Sequence, residues 1–447
     1  MRTKQSFILS LITIFMLSIV FGSAAPAKAA GELELSAESA ILVDAASGKI
    51  LYEKDADKPL PPASMTKMMT EYLVRDAIEK NQIEWDQKTS ISQYAHEISQ
   101  NTDLSNVPLR IEEKYSVREL YEAMAIYSAN GATIALAELV AGSESNFVKM
   151  MNEKGKEMDL GDFKFVNTTG LNNSDLLGNH PEGTRPDEET MITARGTAKL
   201  AYHLIKDYPD VIEIASIPIK KFRDGTDDMT KMDNWNWMIP GSIEPQFDYE
   251  GVDGIKTGST SLAGYSFTST AKRDGMRLIS VVMKTSSYSE RFTQTKKLLD
   301  YGFSGFDSKE LFPAGYQIKG KSEVPVVKGK ENNVKVEAEK ALTSVIRKGE
   351  DDKYSAEYAL NEDKLTEEGE LTAPLEEGEK VGKVVLKYSG ENDYGYLTKK
   401  GSANESVPLV TTESVEKANW FALAMRGVGG FFGDIWSSAA DTVKGWF

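Results

Sequence analysis

The sequence predicts an α+β domain, then a small all-β domain, then a C-terminal amphipathic helix. Three observations carry that prediction. Up to about residue 311, strand-like alternation and helix-like spacing of apolar residues take turns. From Phe312 to Val410 the chain becomes rich in Lys and Glu, with short Val-rich runs between Gly-containing turns. The final segment carries aromatic and aliphatic residues at steps of three and four. A length of 447 residues is itself suited to two or three domains.

In chain order, Arg2 and Lys4 precede the apolar run FILSLITIFMLSIVFG, and Ala27 and Ala29 flank Lys28. A basic start, an apolar stretch and small residues mark residues 1–29 as an export signal. The remaining chain is then expected outside the cytoplasmic membrane. Residues 31–311 form the first domain. AILVDAASGKILYEKDAD reads as a hairpin turning at Ala46-Ser47-Gly48. Met65, Met68, Met69, Tyr72 and Leu73 share one helical face, so a helix with a buried side follows Pro61-Pro62. Ser116 and Glu119 form a capping box at the head of SVRELYEAMAIY, and ATIALAELVA is another helix. GYSFTSTAK and MRLISVVMK are strands joined at Arg273-Asp274-Gly275, and ERFTQTKKLLDYGF returns to helix. Residues 312–410 form the β-rich domain. Over 413–447, Phe421, Met425, Val428, Phe432, Ile435, Ala439, Val443 and Trp446 make an apolar stripe, while Arg426, Asp434 and Asp441 interrupt any spanning run. A helix lying in the membrane interface fits that pattern, with packing against the β-rich domain as the alternative.

Composition narrows the chemistry. A formal charge of -16 argues against a nucleic-acid partner, because phosphate binding needs a basic face. The chain has no cysteine, which removes disulfides, thiolate nucleophiles and zinc ribbons together. His96, His180 and His203 are scattered and no H-E-x-x-H occurs, so neither a metal nor a cofactor is expected.

The stretch LPPASMTKMMTEYL places Ser64 three residues before Lys67. On a helix these share a face, so the amine is within reach of the hydroxyl. A lysine that is desolvated, or that stands near another cation, can lose its proton and serve as the base that no histidine provides. The helix start also offers unpaired N–H groups for a developing oxyanion. IYSANGAT sets Ser128-Ala129-Asn130 between two helices, and VDGIKTGST sets Lys256-Thr257-Gly258 on a strand. Each motif alone has a plain structural reading: a surface pair, an interhelical turn, a solvated edge lysine.

In this order, S-x-x-K, S-x-N and K-T-G resemble the motif set of low-molecular-mass penicillin-binding proteins, the serine-type D-alanyl-D-alanine carboxypeptidases. The resemblance runs from about Ala40 to the C-terminus. It implies a transpeptidase/β-lactamase-like domain, an antiparallel sheet with helices on both sides, followed by a β-rich stalk and a terminal membrane-surface anchor. Ser64 would attack the penultimate D-alanine carbonyl, Lys67 would take its proton, and Ser128 would donate to the leaving amine. Asn130, Lys256, Thr257, Gly258 and Ser259 would bind substrate, with the Ser64 and Ser259 N–H groups as the oxyanion hole. Lys256 would help keep Lys67 neutral. Arg291 would bind the terminal carboxylate. Some members of the family carry histidine where this chain has Ser259; the backbone N–H is what an oxyanion needs, so hydrolysis should survive. The expected partners are peptidoglycan stem peptides and β-lactams. Alternatives are a secreted class A-like β-lactamase and a receptor that is acylated without turnover. Between Asn130 and Lys256 no Glu is followed four residues later by Asn, the arrangement expected of the lactamase.

Overall fold

The computed structural model describes residues 33–391, 393–398 and 405–420. The expected export signal and the apolar stripe after residue 420 lie outside the described residues. Strands β1 (Ser39–Asp44), β2 (Ile50–Lys54), β3 (Val252–Thr260), β4 (Gly264–Arg273) and β5 (Met276–Thr285) form one five-stranded antiparallel sheet in the order β2-β1-β5-β4-β3. The predicted hairpins at Gly48 and at Asp274-Gly275 are both present. The sheet is closed by pairing the first hairpin with strands from the far end of the domain.

Alternation along the strands gives the sheet two apolar faces. Ile41, Val43, Ile279 and Val281 join a large core with helices α1 (Lys67–Glu79), α2 (Val117–Tyr127), α3 (Asn130–Ala141) and α4 (Ala194–Asp207). On the other face α5 (Tyr288–Gly305) packs so closely that a Cβ on Gly302 would lie 2.5 Å from a Leu278 methyl and 2.8 Å from a Leu42 methyl. The methionine face read from the sequence is buried throughout, from Met65 at 1% exposure to Met68 and Met69 at 0%. The capping box also forms: Ser116 Oγ accepts from Glu119 N–H at 3.2 Å, and Ser116 N–H donates to the Glu119 carboxylate at 2.8 Å. Such a cap contributes ~1 kcal/mol to helix stability.

Strand β6 (Phe306–Phe312) follows α5 without a linker and pairs with Leu342–Arg347. The second, six-stranded sheet gathers Val324, Val326, Val334, Val336, Val384 and Leu409 into its own core. Residues 413–419, expected as the opening of the terminal helix, are extended instead. Val415 and Leu375 exchange two backbone hydrogen bonds of 2.9 Å, and Ala418 N–H donates to Lys328 O at 2.8 Å. The apolar side chains of Val415 and Ala418 are thereby buried in the β-rich unit, which outweighs helix formation there.

The β-rich unit also grips the hairpin tip of the first sheet. Ile50 N–H donates to Gly395 O at 2.9 Å and Leu397 N–H to Gly48 O at 2.8 Å. Beside them Lys49 and Glu405, both nearly buried, pair at 3.3 Å. Glu405 also accepts from the Ser344 and Tyr396 hydroxyls. Among the described residues no helix is long and apolar enough to cross a membrane.

Candidate active site

Ser64 belongs to a 3-10 turn, Ala63–Thr66, which runs into α1 at Lys67. The sequence had placed the serine on the first α-turn. Pro62 supplies only a carbonyl, which accepts from Met65 N–H at 3.2 Å and tightens the entry. A 3-10 turn eclipses residues three apart, so Ser64 and Lys67 align all the more closely.

Lys67 Nζ has three oxygen neighbours: Ser64 Oγ at 3.0 Å, Asn130 Oδ1 at 2.8 Å and Thr169 O at 2.8 Å. The amide and carbonyl oxygens can only accept. A neutral amine therefore donates its two protons to them and turns its lone pair to the serine hydroxyl. That is the geometry of a general base on a nucleophile. Burial pushes the Lys67 amine well below the ordinary lysine range, Lys256 adds to the shift, and Glu71 opposes it. Desolvation is thus the larger cause and the neighbouring cation the smaller.

Each partner of Lys67 is held from a different element. Asn130 opens α3 and also donates from Nδ2 to Ser105 O at 3.0 Å, leaving one amide N–H for a ligand. Thr169 is delivered by a loop tied at both ends. Asn167 Oδ1 accepts from Thr169 N–H, Thr169 Oγ1 and Gly170 N–H at 2.7–3.1 Å, and buried Glu144 takes Thr168 N–H at 3.0 Å. Gly170 has φ +77°, and a Cβ there would stand 1.9 Å from Ala63 O. Gly170→Ala is expected to cost about 2–4 kcal/mol through strain and overlap, and to slow acylation by displacing Thr169 O. Urea unfolding alongside penicillin labelling checks both.

Ser128 ends α2 in the left-handed region, φ 62°, and is 4% exposed with an Oγ that has no hydrogen-bond partner among the described residues. Lys256 lies on edge strand β3 yet is 3% exposed, so it is not a solvated edge residue. Burial lowers its affinity for a proton, Glu71 opposes that, and Arg291 adds to it. Gly258 lets β3 touch the nucleophile turn: a Cβ would meet Pro62 O at 2.3 Å and Met65 N at 3.2 Å. Thr257 and Ser259 on either side reach the cleft.

The cleft has a volume of about 560 Å³; Ser64, Ser128, Asn130, Thr257, Ser259 and Arg291 all line it, while Lys67, Lys256 and Gly258 stand behind that lining. Arg291, at 1% exposure, is buried rather than a surface residue of the helix start. It lies against Tyr288 and Phe292, with its guanidinium carbon 5.0 Å and 4.7 Å from their ring centres. Its polar contacts are sparse: Nη2 reaches Trp235 O at 3.4 Å and Nε has no partner among the described residues. Burial pushes its proton affinity down, countered by Tyr288 and Tyr265. A buried guanidinium with open donors at a cleft is suited to a carboxylate ligand.

Sequence reasoning missed three features. The carbonyl of Thr169 acts through the main chain, so no side-chain type announces it. An aromatic wall of Tyr127, Trp235, Tyr288 and Tyr265 lines one side of the cleft, with ring centres 4.5–6.4 Å apart from one to the next. Glu71 lies one helical turn beyond Lys67, and its alignment with Lys67 was readable from that spacing.

Two family models match the chain. One, described as D-alanyl-D-alanine carboxypeptidase (peptidase S11), covers residues 25–287. The other, the penicillin-binding protein 5 C-terminal domain, covers residues 306–417. The carboxypeptidase DacF of Bacillus subtilis is 31% identical, over 94% of this chain and 98% of its own length. Among solved structures, the Streptococcus pneumoniae peptidoglycan synthesis regulatory factor PBP3 is 36% identical with a TM-score of 0.70, over 85% of this chain and 99% of that one. Penicillin-binding protein D2 of Listeria monocytogenes, solved with cefotaxime bound, is 33% identical with a TM-score of 0.50, over 61% of this chain and 99% of that one.

Proposed function

Because the chain belongs to the peptidase S11 family of serine D-alanyl-D-alanine carboxypeptidases, we propose that it removes the terminal D-alanine of peptidoglycan pentapeptides through an acyl-enzyme on Ser64. The observation that carries this reading is the three-oxygen shell of Lys67 Nζ, which a neutral amine fits with its lone pair on Ser64 Oγ.

Lys67 takes the Ser64 proton as Oγ attacks the penultimate carbonyl carbon. The carbonyl oxygen becomes an oxyanion facing the Ser64 and Ser259 N–H groups. As the C–N bond breaks, Ser128 Oγ passes the proton to the leaving amine, and D-alanine departs. Water then adds to the ester, Lys67 takes its proton, and Ser64 regains its hydroxyl as the shortened peptide leaves. Arg291 and Lys256 provide the positive end of the cleft for the terminal carboxylate, and Asn130 and Thr257 hold the peptide amides.

A β-lactam presents a reactive carbonyl and a carboxylate in a similar relation, so it acylates Ser64 as well. In cells, loss of the terminal D-alanine removes the donor bond needed for cross-linking, so the enzyme limits wall cross-linking and affects cell shape. Residues 31–311 act as the catalytic unit and 312–410 as a stalk. The segment after 419 rests on the outer face of the cytoplasmic membrane, once the export signal over 1–29 is removed. No observation favours the lactamase or the non-hydrolysing receptor.

Purified protein is expected to release D-alanine from a pentapeptide ending D-Ala-D-Ala and to be labelled by fluorescent penicillin. Ser64→Ala is expected to lose both. Labelling that survives in that variant places the nucleophile elsewhere and ends this reading.

A further inference from the structure

Under the cleft lies a carboxyl that the reaction above does not use. Glu71 leaves α1 on the same face as Lys67, one turn later, and is 1% exposed. Lys67 precedes it by one turn on its own helix, and Lys256, buried on β3, shares the strand face on which a Gly258 Cβ would meet the turn leading into α1; these two lysines and Tyr121 on α2 are the groups that act on its carboxyl. Arg75 and Asp210 act on Tyr121 from beyond, and Arg291 acts on Lys256. The Tyr121 hydroxyl is buried with no hydrogen-bond partner among the described residues. No ion pair within 4.0 Å engages Glu71, Lys67, Lys256 or Arg291 among the described residues, so their charges act on one another without direct contact in a buried cluster.

Charge accounting gives Glu71 its place. With Lys67 neutral, Lys256 and Arg291 remain as two cations at 3% and 1% exposure. Two uncompensated buried cations cost several kcal/mol each, and either can relieve the strain only by losing its proton. Arginine does not deprotonate in proteins, so the burden falls on Lys256. A carboxylate beside both lysines restores the balance, and Glu71 is the carboxyl whose field reaches both.

We propose that Glu71 is a positioning residue for charge: its buried carboxylate keeps the proton on Lys256, so that Lys256 stays a cation beside a neutral Lys67. This rests on the assignment of Lys67 as the base for Ser64. Burial raises the Glu71 carboxyl above the ordinary range, and Lys256 and then Lys67 pull it back. The carboxylate and the Lys256 cation therefore support each other and fail together.

The sign of the effect follows. Without the carboxylate, Lys256 gives up its proton at lower pH, so the alkaline limb of the rate profile moves toward acid. Lys67 also becomes neutral at lower pH, so the acid limb moves the same way. Each limb is expected to shift by roughly two pH units, the order of a charge pair about a helical turn apart at an effective dielectric near 20.

The test measures kcat/KM for D-alanine release, and penicillin acylation rates, from about pH 5 to pH 10 on the full chain. Glu71→Gln is expected to move both limbs toward acid, and Glu71→Asp to stay near the wild type. Unmoved limbs overturn the proposal however far the plateau falls, because a packing role lowers rate without shifting it. Should Glu71→Gln not fold, infrared titration of the wild type decides, with the band assigned by its change in Glu71→Asp. An ionised Glu71 at the pH optimum supports the proposal, and a protonated one overturns it. Failure of the underlying base assignment shows separately, as a Lys67→Arg protein that penicillin labels at close to the wild-type rate.

Discussion

Lys67→Arg is expected to be acylated by penicillin ~10²–10⁴-fold more slowly than the wild type, the usual contribution of a positioned general base. A guanidinium satisfies the same acceptors, Asn130 Oδ1 and Thr169 O, so the local scaffold keeps its hydrogen bonds. It cannot release a proton, so Ser64 Oγ has no base. Lys67→Met makes the complementary point. It removes the base and also leaves two buried oxygens without donors, at about 1–3 kcal/mol each. The pair of variants separates chemistry from support: both are slow, but only the methionine variant loses stability in thermal melts. A Lys67→Arg protein labelled within ten-fold of the wild-type rate would falsify the base assignment.

Arg291→Gln is expected to reduce kcat/KM on the peptide by roughly 30- to 1000-fold, the range of about 2–4 kcal/mol for a desolvated charge pair losing one partner. The defect should lie mainly in KM. It should nearly vanish for a substrate whose terminal carboxylate is replaced by an amide, since that ligand never uses the guanidinium charge. The same variant is expected to melt no lower than the wild type. The resting protein holds Arg291 against two aromatic rings, with one long hydrogen bond and an Nε that has no partner among the described residues. Removing a buried charge without a counter-ion relieves the folded state, a trade of activity for stability common at binding sites. Equal losses on the carboxylate and amide substrates would show that Arg291 shapes the cleft rather than binding charge.

The parts of this site that were legible in the sequence are those written in side chains at short spacing. Ser64 and Lys67, three apart on a methionine-faced turn, and Ser116 with Glu119 needed only helical geometry to be paired. The sheet order β2-β1-β5-β4-β3 was not readable from periodicity, because pairing of residues 39–44 with 278–283 leaves no local trace. The resemblance implied an antiparallel sheet with helices on both sides but not its strand order. Thr169 was invisible because its carbonyl does the work, and any residue type carries one. Its placement depends on Gly170 and on Asn167 gathering three donors, a loop with no periodic signal. Arg291 entered only through the resemblance, because no local spacing marks its burial. It is buried because Trp235 closes over it from a segment distant in sequence, alongside Tyr288 and Phe292 of its own helix. The extended run 413–419 was assigned to the expected terminal helix, since spacing marks an apolar stripe but not the residue at which it begins.

The grip of Gly395 and Leu397 on the Gly48 turn changes what a pull on the C-terminal end would do. Force applied at Trp420 enters the catalytic sheet along two routes: through the junction at Phe306, and through the buried Lys49–Glu405 clasp beside edge strand β2. Two anchorage points resist swivelling where a single joint permits it. The setting of the catalytic sheet on the β-rich unit is therefore built in, like the arm of a caliper.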